Sequence, residues 1–164
     1  MKDKLSIIEQ AKACIGMLTP LKGRDCGQLC GAACCRGDES TGMLLFPGET
    51  TVLRVTDLSN GDRLAVCDGS CSREQRPLAC MLFPFFPTVD EKGKVYAEID
   101  ARADSVCPMA VHCDEVVFDP AFLRAVRKAG KILSADDRCL EFMQRITEQI
   151  DEIEQIREAI LSDE

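Results

Sequence analysis

The sequence contains no tryptophan, one tyrosine and one histidine, and seven phenylalanines bring its aromatics to only 5%. Aliphatic side chains must therefore supply most of the burial that drives folding. No stretch reaches 18 uninterrupted apolar residues, which excludes a membrane-spanning helix from the pattern. The first apolar stretch, residues 5–18, is broken by Glu9, Gln10 and Lys12, so it reads as an amphipathic helix and not as a secretory leader. The recognisable cofactor and metalloprotease signatures are missing too: no G-x-G-x-x-G, no P-loop and no H-E-x-x-H appears. Basic charge is in deficit, with 20 Lys and Arg against 28 Asp and Glu, so nothing in the long-range field favours nucleic acid.

What remains is enough to fold. The 164 residues are 46% apolar and 29% charged, one domain's worth of material without the composition of disorder. The acids are not evenly spread: ten of them face three bases from residue 134 onward, while the first 133 residues are nearly neutral. The expected fold is α+β, a single domain over 1–164: an N-terminal helix within 1–20, a Cys-rich core with short β-hairpins over 25–113, and a helical part over 120–162.

Local signals place the elements. Leu5, Ile8, Lys12 and Ile15 fall at helical spacing, widened by Ile7, Ala11, Cys14 and Leu18, and predict a helix over residues 2–18. Short apolar runs at 43–46, 51–55 and 64–67, the last two separated by Asn60-Gly61, predict a hairpin. A second hairpin is expected at residues 90–93, followed by a strand over 95–99. The two prolines of Phe83-Pro84-Phe85-Phe86-Pro87 exclude that run from a central strand and suggest an extended segment over the core. Asp119-Pro120 predicts a helix over 120–133 with Asp119 as its N-cap. Ser134-Ala135-Asp136-Asp137 resembles a capping box and opens a last, long helix to about Leu161. Its stripe of Met143, Ile146, Ile150, Ile153 and Ile160, interrupted by Arg157, suits packing on its own domain better than a coiled coil. The basic face of Arg124, Arg127, Lys128 and Lys131 is a candidate to lie against that helix's acids.

The anomaly is eleven cysteines. An odd number behind no secretory signal argues for reduced thiols in the cytoplasm, where cysteine at this density most often serves as metal ligand or redox group. Cys26-x3-Cys30-x3-Cys34-Cys35 puts four thiols into ten residues, with Gly27 and Gly31 opposing a stable helix and permitting tight turns. Clustered thiolates repel one another and need a cation, and both zinc and iron-sulfur clusters take four. Ligand type does not separate the two metals, although irregular x3 spacing leans towards a cluster. Radical chemistry of the C-x3-C-x2-C type is excluded, because Cys30 and Cys34 stand one residue too far apart. Asp25, Asp38 and Glu39 read as solvated loop charge.

The block DCGQLCGAACCRG, followed by CSREQRPLACMLFPF and SVCP, resembles the YkgJ-type cysteine-cluster proteins, a zinc- or iron-chelating module shared with flagellin lysine N-methylases. Its first motif falls on Cys26, Cys30, Cys34 and Cys35, and its second on Arg76, Pro77, Cys80, Phe83 and Pro84, with Met81 where the family usually has Arg. The resemblance implies further ligands at Cys67, Cys71 and Cys107. It leaves open whether there are one or two sites, and whether Cys34, Cys35 or both serve as ligands. Cys26, Cys30, Cys34 and Cys80 rank first, Cys35 and Cys71 next, Cys107 and Cys67 last. Of the others, Cys14 and Cys139 read as core residues, and Cys113 beside His112 offers a mixed pair better read as packed or exposed than as ligands.

The expected function is therefore chelation of iron, as an iron-sulfur cluster, or of zinc. The rivals are an enzyme or enzyme component related to lysine N-methylation or electron transfer, and an interaction module that meets a protein partner through the last helix and holds zinc as a structural staple.

Overall fold

In the structure, a computed structural model, residues 4–37, 41–69 and 71–163 are described. The expected helix start at Lys2 and the loop acids Asp38 and Glu39 lie outside them. Among the described residues the architecture is α+β, with six helices and two small antiparallel sheets.

The first helix, α1 (Ile7–Ile15), is opened by Ser6, whose hydroxyl accepts from the Glu9 amide while the Glu9 carboxylate accepts from the Ser6 amide. This reciprocal cap begins the helix later than the apolar stripe suggested and leaves Leu5 exposed. Ile8, Ala11 and Ile15 are buried against α5 (Pro120–Leu133), which occupies the expected residues and is capped by Asp119 as expected.

The strands form two small sheets. β1 (Met43–Leu44), β2 (Arg54–Asp57) and β3 (Arg63–Val66) form a sheet in the order β1-β3-β2, with the hairpin turning through Asn60-Gly61 as the sequence suggested. β4 (Phe85–Val89) pairs with β5 (Val95–Ile99) across the turn at 90–93. The proline-containing run is thus a strand after all, at Phe85, Phe86 and Pro87. A two-stranded sheet has only edges, so Pro87 opposite Ala97 interrupts no central ladder.

The last helix, α6 (Asp137–Ser162), is 26 residues long. Its N-cap is Asp136, which accepts from the amides of Arg138 and Cys139. Ser134 instead caps the end of α5 and donates to the Lys131 carbonyl, so the expected capping box does not form there. Met143, Ile146 and Ile150 are buried, Ile153 is half-buried, and Ile156, Ile160 and Leu161 lie exposed beyond the body. Arg157 breaks the stripe because its guanidinium pairs with Asp104. Arg145 grips Asp62 with two bonds of 2.8 and 2.6 Å, which ties α6 to the β2–β3 turn. The basic side chains of α5 are exposed, and among the described residues none of the four pairs with an acid on α6.

Phenylalanine is scarce but concentrated. Phe46 lies against Phe86 and Phe142, with ring centres 5.9 and 5.1 Å apart, and Phe85 meets Phe118 and Phe122. These rings stitch α5, α6, β4 and the loop after β1 into one core. The remaining phenylalanine, Phe83, stands among the cysteines.

Candidate metal centre

The cysteine block folds as a series of tight turns. One turn of helix, α2 (Gly27–Cys30), ends at Gly31 with φ at 62°, and Ala32 follows with φ at 56° before a 3-10 turn over Ala33–Cys35. Left-handed backbone costs a glycine little, so Gly31 reverses the chain and brings Cys34 back towards Cys26 and Cys30. The single helical turn departs from the expectation of turns alone, but the glycines do confine it to four residues.

Cys34 is close enough to Cys26 and Cys30 for their thiolate charges to interact, and Cys107 is likewise close to Cys26 and Cys30. All four line one small apolar void with Leu29, Phe83, Val106, Pro108 and Met109. Cys107 arrives at the N-terminus of a short helix, α4 (Pro108–Val111). The second gathering is centred on Cys35, whose thiol responds to Cys67 and Cys71, and Cys80 responds to Cys71 and Cys35. Cys67 follows β3, Cys71 lies in the loop beyond it, and Cys80 is on α3 (Leu78–Leu82). Their walls belong to a cavity of about 430 Å3 that Arg76 and Phe83 also line.

The eight cysteines singled out from the sequence thus lie around two adjoining voids: Cys26 and Cys34 line both, Cys30 and Cys107 only the small one of the two, and Cys35, Cys67, Cys71 and Cys80 only the larger. Cys80, ranked with the first motif, is close to Cys71 and to Cys35 and Cys34 of that motif, and Cys107 and Cys67, ranked last, line the small void and the larger cavity respectively. His112 is exposed, and neither it nor Cys113 lines either group's void. Cys139 is buried in the core and donates to the Pro47 carbonyl at 3.7 Å, and Cys14 packs on the same core.

Burial sets the chemical state of these sulfurs. It pushes the Cys26 thiol up to about 11 with help from the nearby Asp25 charge, and the Cys34 thiol up to about 12 with help from Cys35. Cys35, Cys80 and Cys107 are raised as well, in each case chiefly by burial. Burial pulls Arg76 down, but its bond to Cys71 and the charges of Cys71, Cys35 and Cys80 outweigh that and hold it above its ordinary value. A protonated thiol is not a ligand. Among the described residues no three His, Cys, Asp or Glu side chains are placed to hold a metal ion as they stand. The donor set nevertheless suits a thiophilic cation, whose charge would take the place of the protons and allow the sulfurs to close.

Sequence reasoning missed the role of Arg76 as the cation beside the second group, although it stands in the motif itself. It also missed Glu49, the buried carboxylate that fastens the framework. Its two oxygens accept from the amides of Phe46 at 3.1 Å and Leu78 at 2.7 Å, and Lys12 lies 3.3 Å away. A carboxylate in a polar loop carries no sequence signal that it will be enclosed. The chain matches no family model, no curated protein and no solved structure.

Proposed function

We propose that the chain is a metal-binding protein of the cysteine-cluster type, with one centre formed by Cys26, Cys30, Cys34 and Cys107 and a second by Cys35, Cys67, Cys71 and Cys80. The observation that supports this reading is the gathering of eight thiols from four separate stretches of chain around two adjoining voids. Four thiolates are the donor set of structural zinc and of cubane iron-sulfur clusters.

A second observation supports it. From residue 21 to residue 37 no residue is fully buried, and Leu21 and Cys26 alone pack against a small apolar cluster, so apolar packing holds only weakly the segment that carries four of the eight thiols. Metal binding supplies folding free energy where a core is lacking. The test is the metal content of the full chain, purified anaerobically and kept reduced. Two zinc ions per chain without colour, or iron and sulfide with a broad visible absorbance, are the expected outcomes and distinguish the two metals. A chain that takes up neither when reconstituted would overturn the proposal.

One feature favours the interaction-module reading in addition. Ile156, Ile160 and Leu161 are each more than 60% exposed on the free end of α6, an apolar strip that packing within the domain leaves uncovered. Sedimentation of the full chain at increasing concentration tests it. Self-association that Ile160→Glu abolishes is expected, and a monomer throughout would remove the support for a second copy as the partner.

A further inference from the structure

The voids beside the two thiol groups differ in size, and Cys30 and Cys107 line only the small one of the two. The first group surrounds a void of about 10 Å3, at the lower limit for holding even one water molecule. Its walls are apolar, with Leu29, Val106, Pro108 and Met109 among them. The second borders a cavity of about 430 Å3, within the size range of small-molecule sites. Exposed Gln28 and Asp25 stand on the rim of that cavity, and Met43 and Leu53 form an apolar wall. Cys26 and Cys34 also reach it, but Cys30 and Cys107 do not line it.

The cavity contains a cation of its own. Arg76 lines it with Cys71, close enough for the two charges to interact, and among the described residues pairs with no carboxylate. Its guanidinium has more donors than one sulfur can use, which suits it to an incoming anion. Closed metal sites serve structure, whereas sites with an accessible face accept a further ligand.

We propose that the second group is an exchange centre, from which a divalent cation passes to an anionic sulfur or oxygen ligand entering through the cavity, while the first group retains its cation. This inference rests on the two-centre reading above. The exchange begins as one bond forms between the cation and the incoming donor and the bond from the cation to the Cys71 sulfur breaks; it is complete when further donors of the same chelating ligand have replaced the Cys35, Cys67 and Cys80 sulfurs in turn. No electrons are transferred. The released Cys71 sulfur remains a thiolate held against Arg76, so the same guanidinium that attracts the anion stabilises the leaving ligand.

The experiment uses the full chain loaded with zinc and follows release to an excess of an anionic chromophoric chelator such as pyridylazoresorcinol. Two equivalents are expected, one leaving about tenfold or more faster than the other. Cys71→Ser should remove the fast equivalent and Cys30→Ser the slow one. Leu53→Trp, which replaces no thiol and fills the cavity mouth, should slow only the fast phase by about tenfold, and Arg76→Gln should slow it by a smaller factor. A single rate for both equivalents in the unaltered chain would overturn the exchange centre while leaving two-site binding intact. So would a fast phase that Cys30→Ser removes, or one that Leu53→Trp leaves unchanged. Fewer than two equivalents bound would instead overturn the two-centre reading beneath it.

Discussion

The helical half of the molecule and its cysteine half obey different rules. In α5, six of fourteen residues are buried, and their neighbours in α1, α6 and β4 complete a continuous apolar core. In the stretch from residue 21 to residue 37 no residue is fully buried, and its order comes from turns, a left-handed Gly31-Ala32 pair and partly covered thiols. One half carries its stabilisation in its own side chains. The other has little apolar packing of its own.

The most severe way to test that contrast is to remove the metal. If the loaded chain is treated with a strong chelator, amide exchange over residues 26–80 should accelerate by orders of magnitude, while α5 and the buried part of α6 stay protected. The coupling free energy of a structural zinc is on the order of 10 kcal/mol, comparable to the whole stability of a domain. Uniform protection before and after chelation would erase the distinction between the halves.

Glu49 is the fastening between them, since its carboxylate joins the loop after β1 to α3 and to Lys12 of α1. Glu49→Ala leaves two buried amides without an acceptor, and the expected loss is about 3 to 5 kcal/mol. Urea unfolding of the metal-loaded chain should read this as a lower midpoint, in one transition if the halves are cooperative and in two if the fastening was what coupled them.

A smaller effect is expected within the helical half. A Cβ added at Gly130 would come within 2.6 Å of both Pro87 and Val95, where α5 crosses β4 and β5. Gly130→Ala gains helix propensity but forces this contact apart, for a net loss of about 1 to 3 kcal/mol. Thermal unfolding should register it, while zinc stoichiometry should not change.

The mildest test is alkaline pH on the metal-free chain. Cys26 and Cys34 are raised to about 11 and about 12 from an ordinary 9.0, so the folded state holds their protons more tightly than the unfolded state does. Their contribution is fully present below pH 9.0 and is lost as pH rises through the folded values. The metal-free midpoint should therefore fall above that pH. Metal uptake, which must expel the same protons, should strengthen over the neutral range as pH rises.

The elements that the sequence determined by itself are those whose signals are local. Asp119-Pro120 sets the start of α5 because a side-chain cap and a preset φ act within one turn, and Asn60-Gly61 sets a hairpin for similar reasons. The thiol-rich motif was equally legible, since spacing alone makes four sulfurs neighbours. Where two local signals competed, the outcome was less legible. Ser134 and Asp136 are both good caps, and only the way α5 ends decided that Asp136 starts α6.

Tertiary structure decided the rest. Which sulfur belongs with which depends on Cys67, Cys71, Cys80 and Cys107, which reach the motif from distant stretches of the chain. The apolar lid over one group and the cavity beside the other are also products of packing. Enclosure is a property of surfaces meeting in space, and residue order specifies it only through the whole fold.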